Sequence, residues 1–185
     1  MKYSVEKIIG LGRVLRRDDF VFFWGHAARA EKQAKACLSQ WYLCGFELDG
    51  LYYNCAEQFM MAEKARLFRD DDALHRIMQA YDPLEQKKLG RRVQGYDDAL
   101  WKEHCFDAVV RGNMAKFAQN EKLRDFLLST GDKILAEASP KDEVWGIGLD
   151  EESPDAVCPR RWRGANLLGF ALMEVRERLR EKDKS

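Results

Sequence analysis

Apolar and polar positions change period several times along this chain. Val21-Phe22-Phe23-Trp24 is a short β-branched and aromatic run that reads as a buried strand. It stops at Gly25-His26, and the following stretch, 27–36, is rich in Ala, Lys and Glu and suits either a helix or a loop. Phe46 to Tyr53 reads as a hairpin, because Asp49-Gly50 fits a type I′ turn between apolar and aromatic flanks. From there the period becomes helical, and helices are expected near 55–69, 73–80, 84–92, 97–117, 121–129 and 165–182. Asp97 and Asn120 suit N-caps, and Gly131 suits the residue after a helix end. The last helix lines up Leu168, Ala171, Leu172, Val175 and Leu179 on one face. Between these elements, 138–164 holds three of the four prolines (Pro140, Pro154, Pro159) and several glycines. Long irregular segments of this kind often carry function. Residues 1–20 are weakly patterned and read as a peripheral segment. The fold class expected is mainly α (α+β): a single compact domain over 21–182, with about six helices and a few short strands.

Composition narrows the function classes. The chain has 185 residues, with 31 Lys and Arg against 31 Asp and Glu, so the formal net charge is zero. With 46% hydrophobic and 34% charged residues it is globular rather than disordered. A neutral chain is not a general nucleic-acid coat protein, which carries a basic excess. No stretch approaches the ~18 apolar residues of a membrane span, so no membrane partner is expected. Met1 to Lys7 lacks the apolar run of a signal peptide. The five cysteines are odd in number and widely spaced, without zinc spacing. Reduced thiols, a cytoplasmic location, no metal and no cofactor are the expectations. The oligomeric state is left open.

The helix at 55–69 carries the most informative pattern. At about 100° per residue from Ala56, Met60 falls near 40°, Phe68 near 120° and Met61 near 140°. Glu57 falls near 100° and Lys64 near 80°, inside that apolar arc and about 10.5 Å apart along the axis. Buried charges are costly unless paired or used. A desolvated lysine has a lowered pKa and a nucleophilic amine. Two plainer readings stand beside this one. Asn54 and Glu57 fit a capping box, with Asn54 as N-cap and Glu57 at N3. Lys64 could snorkel to solvent along Phe68.

Other segments offer binding chemistry. In Asp142-Glu143-Val144-Trp145-Gly146-Ile147-Gly148 the glycines would let backbone amides approach an anion. Trp145 would stack on a base or ribose, and Asp142 would bind a hydroxyl or assist proton transfer. A tight turn with a core Trp explains the same string. Trp101 suits core packing or stacking. Lys87 and Arg91 present cations at i and i+4, suited to phosphate or to a solvated face. Arg160-Arg161-Trp162-Arg163 is a basic and aromatic cluster able to meet a phosphate backbone. Of the three histidines, only His26 follows a strand end.

Taken in order, several strings resemble the NADAR (NAD- and ADP-ribose-associated, YbiA-like) family over about residues 20–180. They are Phe23-Trp24-Gly25-His26, Leu38-Ser39-Gln40-Trp41-Tyr42 and Ala56-Glu57-Gln58-Phe59-Met60-Met61-Ala62-Glu63-Lys64-Ala65. Then come Lys87-Lys88-Leu89-Gly90-Arg91, Lys116-Phe117 with Asn120, Thr130-Gly131, Asp142 with Trp145 to Gly148, and Gly164 to Gly169. The resemblance implies a YbiA-like fold and an N-glycosidase acting on a bond to ribose. It implies Glu57, Lys64 and Asp142 as catalytic residues. The substrate-binding residues it implies are Trp24, Gly25, His26, Ser39, Trp41, Tyr42, Arg91, Trp101, Trp145, Gly146, Gly148 and Asn166. The strings at 23–26 and 38–42 look closer to a branch that removes ADP-ribose from guanine bases of nucleic acid. That makes ADP-ribose or a ribosyl nucleotide the expected substrate, and ADP-ribosylated DNA a possible partner. A second branch hydrolyses ribosylamine phosphate intermediates of riboflavin synthesis, and a non-catalytic ADP-ribose reader is a third reading. Charges facing inward favour an enzyme, since a reader gains little from a buried nucleophile.

Overall fold

In the computed structural model, residues 1–25 and 33–183 are described. Its contacts gather into two units, Met1–Ser39 with Lys122–Ser185, and Gln40–Glu121. The second unit is thus contiguous in sequence and inserted between the two segments of the first.

In the unit built from both ends of the chain, β1 (Phe20–Phe23) pairs in parallel with β4 (Ile134–Glu137), Phe20 opposite Ile134 and Phe23 opposite Glu137. The sequence reading places this strand at 21–24. It starts one residue earlier, and Trp24 lies beyond its end, exposed. The partner β4 was not expected from the pattern. Ile134-Leu135-Ala136 is buried on both sides, which gives it a strand's role despite residues that favour helix. The helix α8 (Leu167–Asp183) packs on β4. Buried Arg176 on α8 donates to Thr130 Oγ1 at 2.7 Å and Lys133 O at 2.9 Å, and so anchors the chain entering β4. The first 20 residues add a short helix, α1 (Val5–Ile9), capped by Ser4 and packed on the 3-10 turn Pro159–Arg161. Lys2 donates its backbone N–H to Glu174 Oε1 at 2.5 Å. The short α2 (Gln33–Ala36) and α7 (Glu121–Ser129) complete the helices here, and Gly131 follows α7 at φ 59°.

The inserted unit begins with β2 (Phe46–Leu48) and β3 (Leu51–Tyr53), antiparallel, with Phe46 opposite Tyr53. Asp49 and Gly50 both have positive φ, 53° and 76°, as a type I′ turn requires. Phe46, Tyr53 and Phe59 form an aromatic cluster under the hairpin, Tyr53 and Phe59 meeting edge to face at 5.1 Å. Next comes α3 (Ala56–Leu67), followed by α4 (Asp71–Gln79), α5 (Pro83–Gly90) and α6 (Asp98–Gln119). All three later helices pack on α3. Glycine lets two of them approach closely. A Cβ on Gly90 would meet Met61, and one on Gly112 would meet Phe59.

The cap of α3 differs from the sequence expectation. Cys55, not Asn54, is the N-cap, so Glu57 is at N2. Gln58, at N3, reaches back past the N-cap, its Oε1 accepting from Asn54 N–H at 2.8 Å. The Asn54 side chain bonds Tyr81 O and Gln86 instead. Capping therefore does not account for the Glu57 carboxylate. Asp97 does cap α6, accepting from Leu100 N–H at 2.7 Å. Asn120 closes α6 rather than opening α7, donating to Lys116 O at 2.8 Å and Gly45 O at 3.1 Å.

Candidate active site

The central helix α3 is buried around most of its circumference, which is why its ionisable groups are informative. Ala56 to Ala62 are all buried, so no polar face exists at its start. Glu57 is 5% exposed. Its N–H, one of the unsatisfied donors of a first helical turn, goes to Gln40 O at 3.0 Å. The carboxylate sits where the helix dipole favours negative charge. Two turns further on, Lys64 is half-buried. Its Nζ lies 4.1 Å from the Tyr96 ring centroid and 5.6 Å from that of Trp101. Tyr96 is held by an edge-to-face contact with Phe68 and by its hydroxyl donating to Asp98 Oδ1 at 3.0 Å. Burial lowers the Lys64 pKa, the Arg91 charge lowers it further, and Asp98 opposes both. The amine is therefore more readily neutral than an ordinary lysine's.

Two cations lie beside α3 on α5. Lys87 lies 5.6 Å from the Trp41 ring, and one turn later Arg91, at the C-cap, acts on Lys64. Tyr42 faces Lys116 Nζ at 5.8 Å, and Trp41 and Tyr42 are both half-buried. The structure thus brings Lys64, Trp101 and Arg91 together, and places Trp41 beside Lys87.

In the other unit, Asp142 Oδ1 accepts from Val144 N–H at 3.0 Å and Trp145 N–H at 2.8 Å. This turn holds the half-buried Trp145 in place and leaves Asp142 Oδ2 without a partner among the described residues. Trp24, 59% exposed, lines a cleft of about 270 Å³ with Phe22, Phe23, Lys35, Ala36, Ala138 and Asp150 to Glu152. Gly25 follows it at φ 77°, and Ser39 is half-buried. His26 lies outside the described residues.

A family model described as the NADAR domain matches residues 22–180. The chain belongs to the NADAR domain family. It is 41% identical over 168 residues to a protein of Acanthamoeba polyphaga mimivirus named N-glycosidase R617, covering 88% of this chain and 98% of that one. It is 31% identical over 144 residues to the riboflavin biosynthesis protein VVA0006 of Vibrio vulnificus, covering 78% of this chain and 35% of that protein. The NMR structure of the E. coli protein YbiA matches with a TM-score of 0.73 at 23% identity, over 92% of this chain and 90% of that one. At that identity the likeness shows the fold, a YbiA-like arrangement of helices with few short strands.

Within this NADAR domain some expected binding residues have internal work. Gly146 and Gly148 are buried. A Cβ on Gly146 would lie 2.9 Å from both Asp142 O and Glu137 O, and Gly148 has φ 68°. Close chain crossing explains these glycines without an anion. Asn166 is fully buried, accepting from Glu137 N–H at 3.0 Å and donating to Leu135 O at 2.9 Å, so it braces β4 rather than offering its amide to a ligand. The 160–163 cluster is less available than its sequence suggests. Trp162 packs edge to face on Phe20 and donates to Ala156 O at 2.8 Å, and Arg161 pairs with Asp155. Arg160 and Arg163 remain exposed.

Sequence reasoning missed one residue that touches Lys64 and one buried cation of the same unit. Tyr96 lies in the polar turn before α6, where no periodicity marks it. Lys116 was named only within a motif string, yet it is fully buried. Its signal was its spacing, three residues after Asn113 and seven after Val109, on the core face of α6.

Proposed function

We propose that this NADAR domain is a hydrolase of N-glycosyl bonds to ribose, acting on ADP-ribose attached to guanine bases. The observation that carries this reading is the Lys64 amine, held against Tyr96 and Trp101 and moved toward its neutral form by burial and by Arg91. Such an amine suits attack on an anomeric carbon. In the step proposed, the glycosidic C–N bond breaks and the base leaves with the bonding pair and a proton. The Lys64 lone pair forms the new C–N bond to the anomeric carbon. One amine proton passes by way of a carboxylate to the departing base. The ring C–O bond then breaks as the nitrogen lone pair forms C=N, and the second amine proton goes to the former ring oxygen, so the opened sugar is held as an imine with that oxygen as a hydroxyl. Water then adds to the imine carbon, frees ADP-ribose and returns the amine. The oxocarbenium character of bond breaking asks for a nearby anion, and Glu57 is the group we assign to that task.

ADP-ribose is favoured by the supply of cations and rings, Lys87 beside Trp41 and Arg91 beside Lys64, which suits a pyrophosphate and a base better than one phosphate. The strings at 23–26 and 38–42 favour the same branch. Similarity to the Vibrio protein named for riboflavin biosynthesis favours a second reading, a ribosylamine phosphate as substrate. Initial rates on ADP-ribosylated guanosine, free and within an oligonucleotide, compared with a ribosylamine phosphate test the choice. Faster release of ADP-ribose is expected, and faster turnover of the ribosylamine phosphate would overturn the guanine assignment. Equal rates on nucleoside and oligonucleotide would remove any role for Arg160 and Arg163 on DNA.

A further inference from the structure

We infer that Tyr96 is a catalytic residue of the proposed glycosidase site, its ring face stabilising the positive charge that the Lys64 nitrogen carries during the reaction. The inference rests on the nucleophilic role proposed for Lys64 above. The ring lies directly over the reacting atom, with 4.1 Å between its centroid and Nζ. Local structure fixes that position. Gly95, at φ 67°, turns the chain immediately before Tyr96, and Asp97, immediately after it, caps α6. Tyr96 and Trp101 are therefore the N′ and N4 residues of that helix, the pair that a hydrophobic staple joins at a helix start. Both rings face Lys64 Nζ, Trp101 from 5.6 Å. Phe68 meets the Tyr96 ring edge to face at 5.3 Å, and the Tyr96 hydroxyl donates to Asp98 Oδ1 at 3.0 Å. A staple accounts for two rings at a helix start, but it does not require an amine with its Nζ over a ring face.

Among the described residues, the Lys64 amine makes no hydrogen bond and no ion pair. Asp98, the carboxylate that acts on it, is paired with Lys102 at 2.6 Å and accepts from the Tyr96 hydroxyl. The other charge acting on Lys64 is Arg91, at the end of α5. For a nucleophile the choice of partner matters. A carboxylate in contact would hold the amine as an ammonium and fix its protons. A ring face attracts a cation more weakly and accepts no strong hydrogen bond, so the amine can still lose its proton. In the proposed reaction charge then returns to this nitrogen twice. It is positive once its lone pair has formed the new C–N bond, until one proton leaves for the departing base. It is positive again when its lone pair forms C=N and the ring C–O bond breaks, until the second proton reaches the former ring oxygen. The Tyr96 face is in place at both points and needs no rearrangement to meet the charge.

The test varies the electron density of the ring and leaves its shape. Tyr96→Phe in the full chain is compared with the same position carrying mono-, di- and trifluorophenylalanine, since each fluorine weakens the negative face of the ring. Tyr96 is 45% exposed, so these replacements leave the core intact. Two quantities are read. The first is kcat on ADP-ribosylated guanosine on the high-pH plateau, where the amine starts neutral and only the charge formed during reaction is felt. The second is the Lys64 pKa of the free protein, from carbon-13 NMR of lysine Cε with Lys64→Arg assigning the resonance. Three fluorines should lower the plateau kcat by about 3- to 30-fold relative to Tyr96→Phe, in equal logarithmic steps, with KM nearly unchanged. The Lys64 pKa should fall in the same order, because a ring face favours the charged amine. A pKa that does not move overturns the inference. A pKa that falls while the plateau kcat stays flat also overturns it, leaving Tyr96 a partner of the resting ammonium only. In that second case borohydride separates the two failures. A sugar trapped on Lys64 keeps the nucleophile and removes only the role of Tyr96, whereas no adduct removes the nucleophile as well.

Discussion

The two ends of α3 hold an ionisable group each in contrasting surroundings. At its start, Glu57 is 5% exposed and lies in an interior that also contains the fully buried Lys116. Toward its end, Lys64 is half-buried against Tyr96, which is itself 45% exposed. The first setting removes water and fixes a charge, which suits electrostatic stabilisation of a developing cation. The second leaves an amine reachable and weakens its hold on a proton, which suits bond formation to carbon. On the roles proposed above, a single helix separates a group that keeps its charge from one that loses it. That division is expected where two ionisable groups have opposite tasks, since environment alone moves their pKa values apart.

The largest break in this contrast should come from Glu57→Gln. It keeps the shape and removes the charge, so kcat should fall by about 10²- to 10⁴-fold with the fold retained by circular dichroism. Lys64→Arg keeps the charge and removes the nucleophile. A loss of about 10²- to 10³-fold is expected. Borohydride during turnover should trap a sugar on wild-type Lys64, and mass spectrometry of the tryptic peptide locates it. Full activity without an adduct would reduce Lys64 to an electrostatic role. In the other unit, Trp145→Ala should weaken substrate binding about tenfold, the value of one stacked base. Unchanged affinity by calorimetry would return Trp145 to packing. The smallest effect is expected from Arg91→Met. It removes a positive charge that lowers the Lys64 pKa, so the amine holds its proton to higher pH. The rise of kcat with pH that follows Lys64 deprotonation should move to higher pH, while the step that Glu57 sets at lower pH stays in place.

The legible parts of this chain were those governed by local rules. The Asp49-Gly50 turn, the Asp97 cap and the body of α3 to α6 follow from spacing and capping chemistry. Non-local features were not. The run Ile134-Leu135-Ala136 is too short to show a period, and pairing with Phe20 to Phe23 over a hundred residues earlier makes it β4. The same holds at the site. The angular position of Glu57 and Lys64 marked them as inward-facing, and both are at least half-buried. The cap was misplaced because Asn54 and Gln58 have partners on α4, α5 and the turn before α5, which no local pattern reveals. The glycines at 146 and 148 looked like anion-binding residues because close approach to a phosphate and close approach of two chain segments demand the same missing Cβ.

The insertion of Gln40–Glu121 between two segments of one unit has a consequence for the order of events during synthesis. All the hairpin and α3 contacts close within about 80 residues, so they can form as soon as that stretch leaves the ribosome. The parallel pair β1 and β4 must wait for residues 134–137, and the cover that α8 provides for residues 167–183. Closing that long loop costs entropy that only late contacts offset. Until then the apolar run Phe20 to Phe23 is an unpaired strand edge, open to aggregation.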